Sequence, residues 1–172
     1  MYEAVTHHVK VTVEPTFDPE RSDPDERSYF WRYAVEIVNL GDKSVTLMER
    51  HWRITDADGR QQEVRGPGVV GEQPTIEPGK SFRYTSGCPL TTPSGLMVGE
   101  YRMVDPDGRS FEVSIPAFSL DYPDAKRVLN LGPKPMVWRP SDCFGREADL
   151  HAGFCSAAQG ALFDLRFVIV LP

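Results

Sequence analysis

An all-β fold is what this 172-residue chain predicts, and three observations carry it. Apolar residues recur with period two rather than with a helical period. Clusters of turn-forming residues break the chain at short intervals. Between residues 4 and 120 no segment sustains a helical repeat. Strands with one apolar and one polar face belong to antiparallel sheets, with one side on a core and the other in water. About seven such strands at this spacing make a β-sandwich of the immunoglobulin or fibronectin type III kind, without the paired cysteines of an antibody domain.

Each element follows from local pattern. Val5, Val9, Val11 and Val13 share one parity, with His7 among them, and read as a first strand. Tyr29, Trp31, Tyr33, Val35 and Ile37 form the core face of the next, with Arg32 and Glu36 opposite. Asn39-Leu40-Gly41-Asp42 turns the chain. Between Val45 and Ile54 the apolar parity switches, from Val45 and Leu47 to Trp52 and Ile54. A bulge there re-aims Glu49, Arg50 and His51. Asp56-Ala57-Asp58-Gly59 and Asp105-Pro106-Asp107-Gly108 sit inside two hairpins, Arg53 to Val64 and Gly99 to Ile115. Pro78-Gly79 precedes a strand from Ser81 to Ser86, and Phe111, Val113 and Ile115 face away from Ser110, Glu112 and Ser114.

The chain divides into a sandwich domain over 1–125 and a C-terminal extension over 126–172. In the extension Pro133, Pro135 and Pro140 break early structure, and Ala148 to Leu162 reads as a short, poorly amphipathic helix. The last segment, Leu162 to Leu171, is apolar and β-prone. A poorly ordered or weakly helical extension is the expectation.

Charge and composition exclude several functions. Residues 1–125 carry 13 Lys/Arg against 21 Asp/Glu, so the main domain lacks the basic face that nucleic acid or an anionic membrane requires. Met1 to Val13 alternates polar and apolar residues without a signal core, and no run approaches a bilayer span. Cys88, Cys143 and Cys155 are odd in number and lack metal-site spacing. A cytoplasmic protein with no membrane insertion is expected.

The stretch Arg50-His51-Trp52-Arg53-Ile54-Thr55-Asp56, then Gly59-Arg60, then Glu63 to Pro74 (EVRGPGVVGEQP), resembles the ApaG family. Further matches are Tyr84-Thr85-Ser86-Gly87, Thr92-Pro93-Ser94-Gly95, Met97-Val98-Gly99-Glu100-Tyr101 and Ile115-Pro116-Ala117-Phe118, in one register over roughly residues 3 to 125. The resemblance implies a fibronectin type III-like sandwich in a bacterial protein associated with cobalt/magnesium efflux. It also implies a protein-interaction role, because the same domain occurs in eukaryotic F-box proteins and in a polymerase-delta-interacting protein. It brings no catalytic residues.

Four site readings follow from the residues. Arg65-Gly66-Pro67-Gly68-Val69-Val70-Gly71 spells a dinucleotide-type glycine pattern, but polar residues precede it and Pro74 and Pro78 follow it, so no strand–turn–helix can form. It can still cradle a phosphate or pyrophosphate through the amides of Gly66, Gly68 and Gly71 with Arg65 beside them, together with a divalent metal. The alternative is turn chemistry alone. Glu49 and His51 supply a pair of metal-ligating groups and no more, so no metal site and no cofactor are expected. Ser86 lacks a nucleophile elbow and Cys88 a local base, so no enzyme is expected. Arg50, His51 and Arg53 beside the loop make an interaction surface for an unidentified protein partner, and an open sheet edge would accept a strand from a partner or from a second copy.

Overall fold

The computed structural model describes residues 1–123. The predicted extension, 126–172, lies outside the described residues.

Nine strands form two antiparallel sheets: β1 (Tyr2–Thr6), β2 (Val9–Phe17), β3 (Tyr29–Asn39), β4 (Val45–Asp56), β5 (Gln61–Pro67), β6 (Thr75–Ile76), β7 (Ser81–Leu90), β8 (Ser94–Val104) and β9 (Ser110–Asp121). One sheet runs β1-β2-β3-β7; the other runs β5-β4-β8-β9, with the short β6 also on β4. The predicted sandwich is therefore the observed architecture.

The first strand differs from its reading. Residues 2–13 are a hairpin, not one strand, with Thr6 paired to Val9. The turn residues His7 and His8 have φ of 49° and 60°, the left-handed pair a two-residue hairpin requires, and His accepts that region more readily than most side chains. Val5 consequently lies exposed, while Val9, Val11 and Val13 enter the core.

The parity switch in β4 is a bulge. Pairing with β8 slips between Leu47 and Glu49, leaving Met48 as the extra residue. A second slip, between Met97 and Gly99 on the β8–β9 ladder, lies opposite Trp52. Gly99 permits this close approach: a Cβ there would stand 2.4 Å from the His51 carbonyl oxygen and 2.8 Å from the Trp52 ring.

Trp31, Trp52, Tyr101 and Phe118 are the largest fully buried side chains. Trp52 makes edge contacts with Tyr33 of the facing sheet at 5.5 Å, tying the two sheets together, and with Phe118 of its own sheet at 5.9 Å. The crossing from one sheet to the other is organised by Asn39, 1% exposed. Its Nδ2 donates to the carbonyls of Lys43 (2.8 Å) and Ile76 (2.9 Å), and its Oδ1 accepts from the Gly41 amide (2.9 Å).

The two long sides of the sandwich are unlike. On one, β1 and β9 are stitched: the Tyr2 and Ser119 hydroxyls meet at 2.9 Å, and Thr6 Oγ1 accepts from the Ser114 amide at 3.4 Å. On the other, β5 and β7 each have one paired neighbour among the described residues. The glycine-rich segment lies on that open side.

Candidate functional site

Gly66 belongs to β5, opposite Arg50, and the chain leaves the strand at Pro67. The Gly68 amide donates to the Met48 carbonyl at 2.8 Å, the carbonyl of the bulge residue itself. Val69 and Glu72 then exchange both backbone bonds, at 2.8 and 2.9 Å, closing a tight turn. Gly68 needs its missing side chain twice over: φ is +56°, and a Cβ would lie 2.0 Å from the Glu72 carbonyl oxygen. The outcome is that Val69 is fully buried. The loop is a plug that drives one apolar side chain into the open side of the core. Val70 carries the strain, with φ of 53° at a β-branched residue.

Of the three amides predicted to cradle an anion, Gly68's is spent on Met48, and Gly71 stands exposed at φ 78°. Arg65 points to solvent and pairs with Glu63 at 3.3 Å.

Arg50, His51 and Arg53 do not form one surface. The bulge sets Arg50 on the core side of β4, with Trp52, while His51 and Arg53 lie on the outer face. His51 is flanked by carboxylates from both neighbouring strands: Nδ1 is 2.9 Å from Glu100 and Nε2 3.2 Å from Glu63. Both contacts are donor bonds only when both ring nitrogens carry protons. The His51 hydrogen bond, reinforced by Arg65, holds the Glu63 carboxyl below the usual glutamate value. Glu49 is taken up by Arg102. Glu49 and His51 therefore face the same side but are each engaged with a different strand.

Arg50 lies beneath the plug. Its guanidinium covers Gly66, and Nη1 donates to the carbonyls of Pro67 (3.2 Å) and Gly68 (2.8 Å). Around it Tyr33, Trp52, Val69, Val70, Tyr84 and Ser86 line a narrow cleft of about 10 Å³, room for a single water. Tyr33 shares a hydrogen bond with Ser86, and the Tyr84 and Tyr101 hydroxyls bond to each other. Burial pushes the Tyr33 hydroxyl up to about 12 and raises Tyr84 and Tyr101 as well, so all three stay neutral beside the guanidinium. Cys88 is buried and its thiol pushed up to about 12, the opposite of an activated nucleophile. Arg50 and the tyrosines were legible as residues, but their meeting under the loop depends on a one-residue bulge whose facing partners no spacing reveals.

Among the described residues no group of three or more His, Cys, Asp or Glu is placed to hold a metal ion. No helix among them is long and apolar enough to cross a membrane.

Residues 19–105 match the family model described as the ApaG domain. A curated relative from Beijerinckia indica, named Protein ApaG, is 59% identical over 130 residues, covering 76% of this chain and all of its own. One of the same name from Bradyrhizobium diazoefficiens is 60% identical over the same shares. The crystal structure of an ApaA protein from Bordetella pertussis superposes with a TM-score of 0.66 at 49% identity, covering 67% of this chain and 94% of that one.

Proposed function

This chain belongs to the ApaG family, and on that premise we propose that it is a cytoplasmic binding module without chemistry of its own, which engages a protein partner along the open side of its sandwich. One observation carries the reading. Strands β5 and β7, each with a free edge among the described residues, flank the same plugged opening. Free edges offer ordered backbone donors and acceptors to a partner strand. Exposed Arg65 lies on β5, Arg53 on the adjoining β4 and Arg83 on β7. Any part in cobalt/magnesium efflux would be as an accessory to another protein.

Phosphate or pyrophosphate capture by the loop amides is the weaker reading. Pro67 has no N–H and the Gly68 amide is already bonded, so the cradle lacks its central donor.

Photo-crosslinking separates the readings. A benzoylphenylalanine at Arg65 or Arg83 is expected to capture one common partner in cell extract, and the same group at Glu112 on the stitched side is not. Equal capture at all three positions would refute the assignment. Saturable shifts of Gly66 to Gly71 on adding pyrophosphate or Mg²⁺ to labelled protein would favour the loop cradle instead.

A further inference from the structure

The guanidinium of Arg50 is half-built into the protein and half-unused. Nη1 spends both of its hydrogens on the loop carbonyls. That leaves the Nε and Nη2 hydrogens, which form the planar fork that matches a carboxylate. None of the ion pairs among the described residues involves Arg50. Nor can the neighbouring hydroxyls supply the missing charge, because burial keeps Tyr33, Tyr84 and Tyr101 neutral. Exposed arginines among the described residues stand in open water. Arg50 is half-buried against aromatic rings, and its uncommitted nitrogens keep solvent access beside a cleft that holds about one water.

We propose that Arg50, with the hydroxyls of Tyr33 and Ser86, is the seat for a single carboxylate, presented by an acidic side chain of the partner that docks along β5 and β7. This rests on the binding-module reading and names the chemistry of its anchor. The fork supplies two charge-assisted hydrogen bonds, and the Tyr33–Ser86 hydroxyl pair, which shares one hydrogen bond, has one donor left over at the cleft floor. Tyr84, Trp52 and Val69 give the apolar walls that strengthen a charged contact by excluding water. Val70 forms the rim. Its left-handed backbone makes it the position where the loop gives way to admit a group larger than water. Arg65, on the outer side of the same strand pair and already paired with Glu63, takes no part.

The test is an NMR titration of the full chain, read at the Arg50 Nε–Hε signal and the Val69 and Val70 amides. The probes are sodium acetate, inorganic phosphate, and a Gly/Ser hexapeptide with one central Glu against its Gln counterpart. Saturable shifts with acetate and the Glu peptide, at about millimolar affinity for one such contact, are expected, with none from the Gln peptide. Arg50→Lys keeps the charge but loses the fork and is expected to weaken binding by about tenfold or more. Arg65→Gln is expected to leave binding unchanged. Should Arg50→Lys fail to fold, Ser86→Ala serves as the second variant and is expected to weaken binding as well. Acetate binding without discrimination between the peptides would overturn the partner anchor in favour of a free small carboxylate, and saturation by phosphate alone would overturn the carboxylate. No saturable shift with any probe would mean the fork holds only water. Crosslinking at β5 and β7 is read independently, so the seat can fail while the binding module stands.

Discussion

Asn39→Ala should be among the costlier single substitutions in this fold, because the residue joins the two sheets rather than filling space. Its side chain holds the carbonyls of Lys43 and Ile76 and the amide of Gly41, at 2.8, 2.9 and 2.9 Å. Alanine removes all three bonds and leaves the Ile76 carbonyl unpaired in a buried site, while the Lys43 and Gly41 partners are partly open to water. At about 1 kcal/mol net for each bond, the loss is about 3 kcal/mol. In a domain of this size that lowers the melting temperature by roughly 10 °C. Urea unfolding followed by tryptophan fluorescence measures it, with an unchanged slope expected. Asn39→Asp sharpens the test. It keeps the acceptor for Gly41 but turns a carboxylate toward two carbonyls in a buried site, which raises its folded-state pKa above the unfolded value. A raised acid stabilises the fold below the unfolded pKa and loses that contribution as pH rises through the folded pKa. The deficit of Asn39→Asp against wild type should therefore shrink as pH falls from 7 toward 4. An Asn39→Ala loss below about 1 kcal/mol, or an Asp variant whose deficit ignores pH, would refute the crossing described here.

Four further outcomes follow. Burial raises the Cys88 thiol to about 12, so in a Cys143→Ser/Cys155→Ser background a disulfide reagent at pH 8 should label Cys88 only at the unfolding rate; immediate labelling would contradict its burial. The raised Cys88 and Tyr33 groups also make stability fall as pH climbs from the ordinary thiol range toward 12, which urea midpoints at pH 8, 9, 10 and 11 can follow. Glu63, held low chiefly by His51, should titrate below the ordinary glutamate value by NMR and move back toward it in His51→Gln; the contribution is present above the ordinary range and fades as pH falls through the lowered one. Gly99→Ala places a Cβ 2.4 Å from the His51 carbonyl and should cost about 2 kcal/mol or more, and a neutral result would mean the bulged registers of β8 are drawn wrongly.

Much of this was legible in the residues. Alternation gave the faces of β3 and of the first half of β9, and the change of parity after Leu47 located the bulge of β4. The β1–β2 hairpin was missed because His7 and His8 are not the turn residues that composition flags, and a two-residue turn leaves valines on one parity across it. The grouping of Arg50 with His51 and Arg53 failed for a different reason. Proximity in sequence puts neighbours on opposite faces of a strand, and only the bulge decides which neighbour turns inward.

The glycine pattern is the more instructive case. Its spacing reports which residues must adopt left-handed φ, and here that requirement serves the burial of Val69. A ligand that drew the loop open enough to use its amides would pull a fully buried valine out of the core, at a cost of about 1.5–3 kcal/mol before any contact was made. It would also break the Gly68 bond to Met48. The Arg50 seat carries neither penalty, because Nη1 alone holds the loop carbonyls, and use of the remaining guanidinium hydrogens leaves the plug seated with only the Val70 rim to shift. Two candidate anion sites share one short loop. The buried position of Val69 favours the one formed by the side chain beneath it over the one formed by its backbone.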